Sequence, residues 1–188
     1  MEVRALLDVL HVAERLKDEL RHCDTSKGRR ESVAEHSWRI ALMALFMQDE
    51  FPELDINKVI RMCLIHDLGE CFTGDIPTFL KSKEDEKKED EALAAWVKSL
   101  PEPYCTELAD LYAEMNALQT GEARLYKTLD KLEAVIQHNE ADIRTWEPHE
   151  YELNLTYAND IVAGTPYLEQ LREAIRDDTK QKIAEAQK

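Results

Sequence analysis

Three positions in this chain put chemistry where a helix expects an apolar side chain: His36, His66 and Asp67. His36 stands in line with Ile40, Met43 and Met47 at spacings of four, seven and eleven residues, which sets it on the apolar face of a helix. His66 continues the stripe Val59, Met62, Cys63, and Asp67 continues Ile60, Cys63, Leu64, so both fall on the inward face of the next helix. Taking a carboxylate out of water is costly unless it is paired or bound to a cation. Asp67 therefore calls for a cation, and two imidazoles around it suit Mn, Fe, Co, Ni or Zn. A histidine on an apolar face is more often a hydrogen-bonded core residue, and a core histidine beside an inward aspartate also makes a structural pair. Periodicity alone leaves both readings open.

The elements that must position these residues are helical throughout. No sustained alternation of β-branched or aromatic residues occurs, whereas a 3.6-residue period recurs along the chain, so the expected fold class is all-α. A first helix is predicted over residues 3–22, followed by the polar loop CDTSKGRR. Ser32 and Glu35 have capping-box spacing and predict a second helix running to about Glu50, ahead of Pro52. Asp55 is placed to cap a third helix leading into HDLGE, and TGDIPT reads as a turn. KSKEDEKKEDEALAAWVKSL predicts a solvent-facing charged helix, and its charge run reads as a solvated face. Further helices are expected from Pro103 to about Leu118, over Leu125 to Ile143, and after Gly164 and Pro166, with a tail over 180–188 prone to fray.

Whole-chain quantities narrow the field. With 188 residues, at ~100 to 200 residues per domain, one domain over 1–188 is expected. A 44% hydrophobic content argues against a disordered chain, and 34% charged residues with a mean hydropathy of −0.51 suit a soluble surface. No apolar run approaches the ~20 residues of a membrane span and the start is a charged amphipathic pattern, so no membrane association and a cytoplasmic location are expected. A net charge of −15 disfavours long nucleic acid as a partner. Cys23, Cys63, Cys71 and Cys105 form no CxxC pair, which supports neither a disulfide framework nor a zinc knuckle.

The segments ESVAEHSWRIA (31–41), LIHDLGECFTGDIPT (64–78) and LDKLEA (129–134) resemble, in order, the three signature segments of the HD superfamily of metal-dependent phosphohydrolases. The wording is most similar to its 5'-deoxynucleotidases. That resemblance implies a single-domain HD helical bundle with His36, His66, Asp67 and Asp130 as ligands of one divalent ion (Mn, Co, Fe, Ni, Zn or Mg), and a homodimer. It also implies Glu70 and Asp75 as catalytic residues and a nucleoside monophosphate, probed by Arg21, as the small phosphorylated substrate. Thr73, Thr78 and Lys81 lie near enough in sequence to contact phosphate or sugar, although Lys81 equally suits the charged helix.

One departure concerns the substrate: the deoxynucleotidases carry Arg followed by Trp before the first motif, where this chain has Arg21 followed by His22. Arg21 can still hold a phosphate through paired N–H donors. His22 offers a smaller, titratable surface. No histidine occurs between Asp67 and Asp130, whereas two-metal members of the superfamily use additional histidines there, so a single metal is expected. The resulting expectation is a phosphomonoesterase acting on (deoxy)nucleoside 5'-monophosphates. The alternatives are cleavage of a phosphodiester or pyrophosphate at the same centre, or a non-catalytic module that binds nucleotide or metal.

Overall fold

The capping box at Ser32 forms. The Ser32 hydroxyl oxygen accepts from the Glu35 N–H at 3.3 Å, and the Glu35 carboxylate accepts from the Ser32 N–H at 3.0 Å. It opens helix α2, Val33–Phe46. Asp55 caps α3, Ile56–Ile65, by accepting from the Lys58 N–H at 3.1 Å. In this computed structural model, which describes residues 1–77 and 80–187, the other helices are α1 (Val3–Ala13), α4 (Glu70–Thr73), α5 (Lys83–Lys98), α6 (Tyr104–Ala117), α7 (Gly121–Glu140), α8 (Glu150–Thr156) and α9 (Pro166–Ala186). The fold is helical, as the periodicity predicts. Among the described residues no helix is long and apolar enough to cross a membrane.

Helix α7 is the axis of the assembly and packs against α2, α3, α6 and α9, while α2 and α3 pack against each other. Ile40 and Ala44 of α2, Val59 and Met62 of α3, and Leu129, Leu132 and Val135 of α7 are buried together. Burying an aliphatic side chain of this size contributes ~1.5 to 3 kcal/mol. Leu168 and Ile175 bring α9 onto the same core, so the apolar face of the last helix is used internally. The four cysteines are free thiols.

The first 32 residues depart from expectation. The predicted helix over 3–22 ends at Ala13, passes through a 3-10 turn at Glu14–Lys17, and gives way to strand β1, Leu20–Asp24. The predicted loop over CDTSKGRR becomes the turn of an antiparallel hairpin with β2, Arg30–Ser32, whose register pairs Leu20 with Ser32 and Asp24 with Arg30. Gly28 supplies the turn its positive φ of 77° and donates to the Thr25 carbonyl at 2.9 Å. The two strands differ in length between those pairs, so β1 is bulged across Arg21, His22 and Cys23, a device that redirects side chains. Gln137 of α7 donates to the Asp24 carbonyl at 2.7 Å and ties the hairpin to the core.

Smaller corrections have local causes. Helix α2 stops at Phe46 and a separate 3-10 turn covers Gln48–Glu50, so the helix does not reach Glu50. Helix α7 stops at Glu140, because Asp142 accepts from the Arg144 N–H and starts a new 3-10 turn that holds Ile143. Leu64, read as inward-facing, is 49% exposed. The short α8 has no counterpart among the predicted elements. Replacing Ser32 by Ala removes the α2 cap, and urea denaturation is expected to register a loss of ~1 kcal/mol.

Candidate metal centre

Three elements deliver the four histidine and aspartate residues to one place. His36 sits in the first turns of α2, His66 closes α3 with Asp67 directly after it, and Asp130 lies midway along α7. Ligand atoms of His36, His66 and Asp67 all lie within 4.8 Å of one another. Asp130 joins them through Oδ1, which lies 3.1 Å from His36 Nε2 and 3.7 Å from His66 Nε2. The side chains of His36 and His66 are almost wholly buried, whereas Asp67 and Asp130 remain 22% and 17% exposed. The cluster is therefore open to solvent on its aspartate side.

The proton positions follow from the partners. His66 Nδ1 lies 2.9 Å from the Cys63 carbonyl oxygen, which can only accept, so Nδ1 carries the hydrogen. His66 Nε2 then turns a lone pair toward Asp67 Oδ2 at 2.9 Å and has no hydrogen-bonded partner among the described residues. On His36, Nδ1 donates to Glu133 Oε2 at 2.5 Å, which leaves Nε2 facing Asp130 Oδ1 lone pair to lone pair. Two imidazole nitrogens and two carboxylates thus converge with no hydrogen between them unless the rings take an extra proton. Such a donor set fits a divalent cation, and the His36–Glu133 contact is the carboxylate–histidine arrangement that orients a metal-ligating ring.

Without a cation the same space collects protons. Burial by itself would lower the His66 pKa, but the charges and hydrogen bonds of Asp67 and Asp130 outweigh it and raise it to about 10. Burial would favour neutral Asp130, yet the Lys127 ammonium and the two imidazoles hold it well below the usual carboxylate range. Lys127 Nζ donates to Asp130 Oδ2 at 2.8 Å, which leaves Oδ1 for the histidines. Burial and then the charges of Asp67, Asp75 and Glu89 push Glu70 up to about 9, and its Oε2 is buried without a hydrogen bond among the described residues.

The remaining predicted residues are distributed unevenly. Arg21 stands at the bulge of β1, where Nη1 donates to Glu31 Oε2 at 2.7 Å and to Glu133 Oε2 at 3.3 Å. It also lines a pocket of about 220 Å³ together with His22, Cys23, Asp75 and residues of α7 and α8. His22 Nε2 lies 3.4 Å from Glu150 Oε1 and 3.6 Å from Glu147 Oε1. Lys81 is engaged by Glu89, Nζ to Oε2 at 2.6 Å. Thr73 is exposed and its hydroxyl donates to the Gly74 carbonyl at 3.4 Å. Thr78 lies outside the described residues.

Three residues at the centre were not singled out from the sequence. Glu133 follows Leu129 by four and Leu132 by one, so it is a carboxylate on the inward stripe of α7 and carries the same anomaly that marks His36. Lys127, three residues before Asp130, is legible only once Asp130 is taken as a site residue. Glu31 is buried on β2, a three-residue strand that leaves no periodic signal. Glu89 corrects the reading of the charge run as wholly solvated, because it packs over Gly69, where a Cβ would lie 2.7 Å from Glu89 Cγ.

Over 114 residues, 60% of this chain and 55% of that protein, the chain is 34% identical to human 5'-deoxynucleotidase HDDC2. Over 130 residues it is 33% identical to the Dictyostelium discoideum 5'-deoxynucleotidase HDDC2, covering 65% of this chain and 67% of that one. The chain thus spans about half the length of the human relative it matches. The crystal structure of a predicted metal-dependent phosphohydrolase from Magnetospirillum magnetotacticum MS-1 superposes with a TM-score of 0.80 at 30% identity, over 96% of this chain and 93% of that one. The model of the HD domain matches residues 13–172, and the chain accordingly belongs to the HD-domain family.

Proposed function

We propose that this protein is a metal-dependent phosphomonoesterase that releases phosphate from deoxynucleoside 5'-monophosphates, with His36, His66, Asp67 and Asp130 holding one divalent ion. The observation that carries the reading is the convergence of two imidazole lone pairs and two carboxylates with no hydrogen left to place between them. The relatives named 5'-deoxynucleotidase supply the substrate class. A bound ion of this kind polarises a phosphoryl oxygen and lowers the pKa of water from about 15.7 toward neutrality.

The chain's own residues divide the rest of the work. Arg21, held by Glu31 and Glu133 through Nη1, has further guanidinium donors for the phosphate oxygens of a ligand in the pocket it lines. Glu70 holds a proton up to about pH 9 in the cation-free protein, and the charge of a cation beside it acts in the opposite direction. It is thereby suited to take the proton of the attacking water near neutral pH. Asp75, raised by burial and set in the pocket wall next to Arg21, is placed to return a proton to the departing 5'-oxygen.

The test is phosphate release from a panel of mono-, di- and cyclic nucleotides with Mn, Co, Fe, Ni, Zn or Mg. Turnover confined to monophosphates is expected. His66→Ala and Asp67→Ala should abolish it, and Glu70→Gln should slow it ~10² to 10⁴-fold. Glu133→Gln, which disturbs the ring orientation of His36, should weaken metal affinity ~10 to 100-fold in a metal titration. No turnover with any phosphomonoester would falsify the reading, and equal turnover of cyclic nucleotides would favour phosphodiesterase chemistry.

The acid–base balance gives a second test, made on metal-free protein. Glu70 titrates near 9 when folded instead of 4.5, and His66 near 10 instead of 6.5, so the folded chain retains protons that the unfolded chain releases. Stability from both groups is present at low pH and lost as pH rises toward those folded values. The melting temperature of metal-free protein should therefore fall between about pH 6 and pH 9, and Glu70→Gln should flatten the slope. A melting temperature that rises over this interval contradicts the assignment.

The proposed assembly is a homodimer. Val3, Leu6 and Leu10 of α1 stay exposed in the single chain, which buries no residue of that helix, and a second copy would cover them. Light scattering is expected to give twice the chain mass, and Leu6→Glu with Leu10→Glu to give the mass of one chain.

A further inference from the structure

The two oxygens of Asp130 serve different partners. Oδ1 faces His36 Nε2 at 3.1 Å and His66 Nε2 at 3.7 Å, while Oδ2 accepts from Lys127 Nζ at 2.8 Å. Lys127 stands about one helical turn before Asp130 on α7, so the backbone of a single helix brings ammonium and carboxylate together. The Lys127 side chain is 37% exposed and that of Asp130 17%, which places the pair on the side of the centre that is open to solvent.

An ordinary helix-surface ion pair does not account for this contact. Among the described residues the other pairs of this spacing, Glu14–Lys17, Glu173–Arg176 and Asp177–Lys180, put the acid first, the order that a helix dipole favours. Their acids are 50 to 65% exposed. Lys127 and Asp130 have the reverse order, and the acid is mostly buried. Attraction for a metal does not account for it either, because an ammonium beside a ligand carboxylate repels a cation bound at the other oxygen. What the lysine supplies is direction: with Oδ2 taken, Asp130 has Oδ1 alone to offer on the side of the two imidazoles.

The number of oxygens that a carboxylate offers separates divalent ions. Calcium accepts about six to eight oxygen ligands in flexible geometry and often takes both oxygens of one carboxylate, whereas smaller ions hold to tetrahedral or octahedral sets. A second oxygen from Asp130 would also fill a position that water and a phosphate oxygen need at the ion. We propose that Lys127 is a positioning residue that restricts Asp130 to one oxygen, and that it thereby makes the centre select manganese-sized ions over calcium. The inference rests on the metal reading above and adds to it what sets the choice of ion.

The experiment is a calorimetric titration of the metal-free full chain with manganese and, separately, with calcium, for wild type, Lys127→Met and Lys127→Arg. The quantity read is the ratio of the two dissociation constants. Loss of the ammonium strengthens the attraction for both ions alike, and a loosened fold weakens both, so the ratio isolates the effect on coordination. Wild type should bind manganese the more tightly. Lys127→Met should move the ratio toward calcium by about 10-fold, a typical effect of losing the partner of a metal ligand. Lys127→Arg, which keeps a cationic donor for Oδ2, should retain most of the wild-type ratio. An unchanged ratio in Lys127→Met overturns the assignment, and so does a ratio in Lys127→Arg displaced as far as in Lys127→Met. Should Lys127→Met fail to fold, Lys127→Ala is read in the same way. A wild type that binds calcium as tightly as manganese overturns the assignment without any variant. Absence of manganese binding to wild type overturns the metal centre and this assignment with it, whereas binding at an unchanged ratio overturns this assignment alone.

Discussion

Glu133 takes the Nδ1 hydrogen of His36 in the dry space between α2 and α7, and the orientation of the groups around it follows from where that hydrogen sits. With Nδ1 committed, Nε2 can present only a lone pair to Asp130. The same Glu133 oxygen accepts from Arg21, so the hairpin is positioned by the group that positions the histidine. A hydrogen bond to a buried charged group is stronger than one between neutral partners and is expensive to break on one side. The α2–α7 packing excludes water from this contact, and the contact in turn fixes the angle of the ring on which the centre depends.

Charge is the second constraint. Glu31, Asp67, Glu70, Asp130 and Glu133 are gathered at one end of the core of a chain with net charge −15. Arg21 and Lys127 offset part of this from within, each tied to a carboxylate at 2.7 to 2.8 Å. The division of carboxylate work is visible in their partners. Glu31 and Glu133 face cationic or N–H donors and serve to orient, whereas Asp67 Oδ2 and Asp130 Oδ1 face imidazole lone pairs, the other Asp130 oxygen being held by Lys127.

Sequence periodicity reads this molecule well where helices are amphipathic and poorly where polarity is internal. His36 and His66 were legible because each stands in an apolar stripe, and Ser32 because its cap has a defined spacing. The LDKLEA segment was legible as a resemblance, which supplied Asp130; the same stripe logic would have found Glu133 beside it. The hairpin was not legible, since LRHCD and RES lack alternation: the residues they turn inward include the Arg21–Glu31 ion pair, Cys23 and Ser32, and no aliphatic side chain. The pocket wall was equally hidden. Asn154 and Glu150 lie on a seven-residue helix, too short for a period to show, and meet His22 only through the tertiary fold.

Gly69 has a consequence for how the surface of this protein can change. Helix α5 looks like the most replaceable part of the molecule, because Glu84, Glu86, Lys87, Lys88, Asp90 and Glu91 are exposed. Position 89 is different. Its methylene group fills the slot that the missing Cβ at Gly69 leaves open, and its carboxylate adds to the field that keeps Glu70 protonated. Substitutions can accumulate at the exposed positions of α5 with little effect, but besides the packed Leu93, Trp96 and Val97 they must spare position 89, where a glutamate and a glycine in the HDLGE segment act as a single unit and neither can drift without the other.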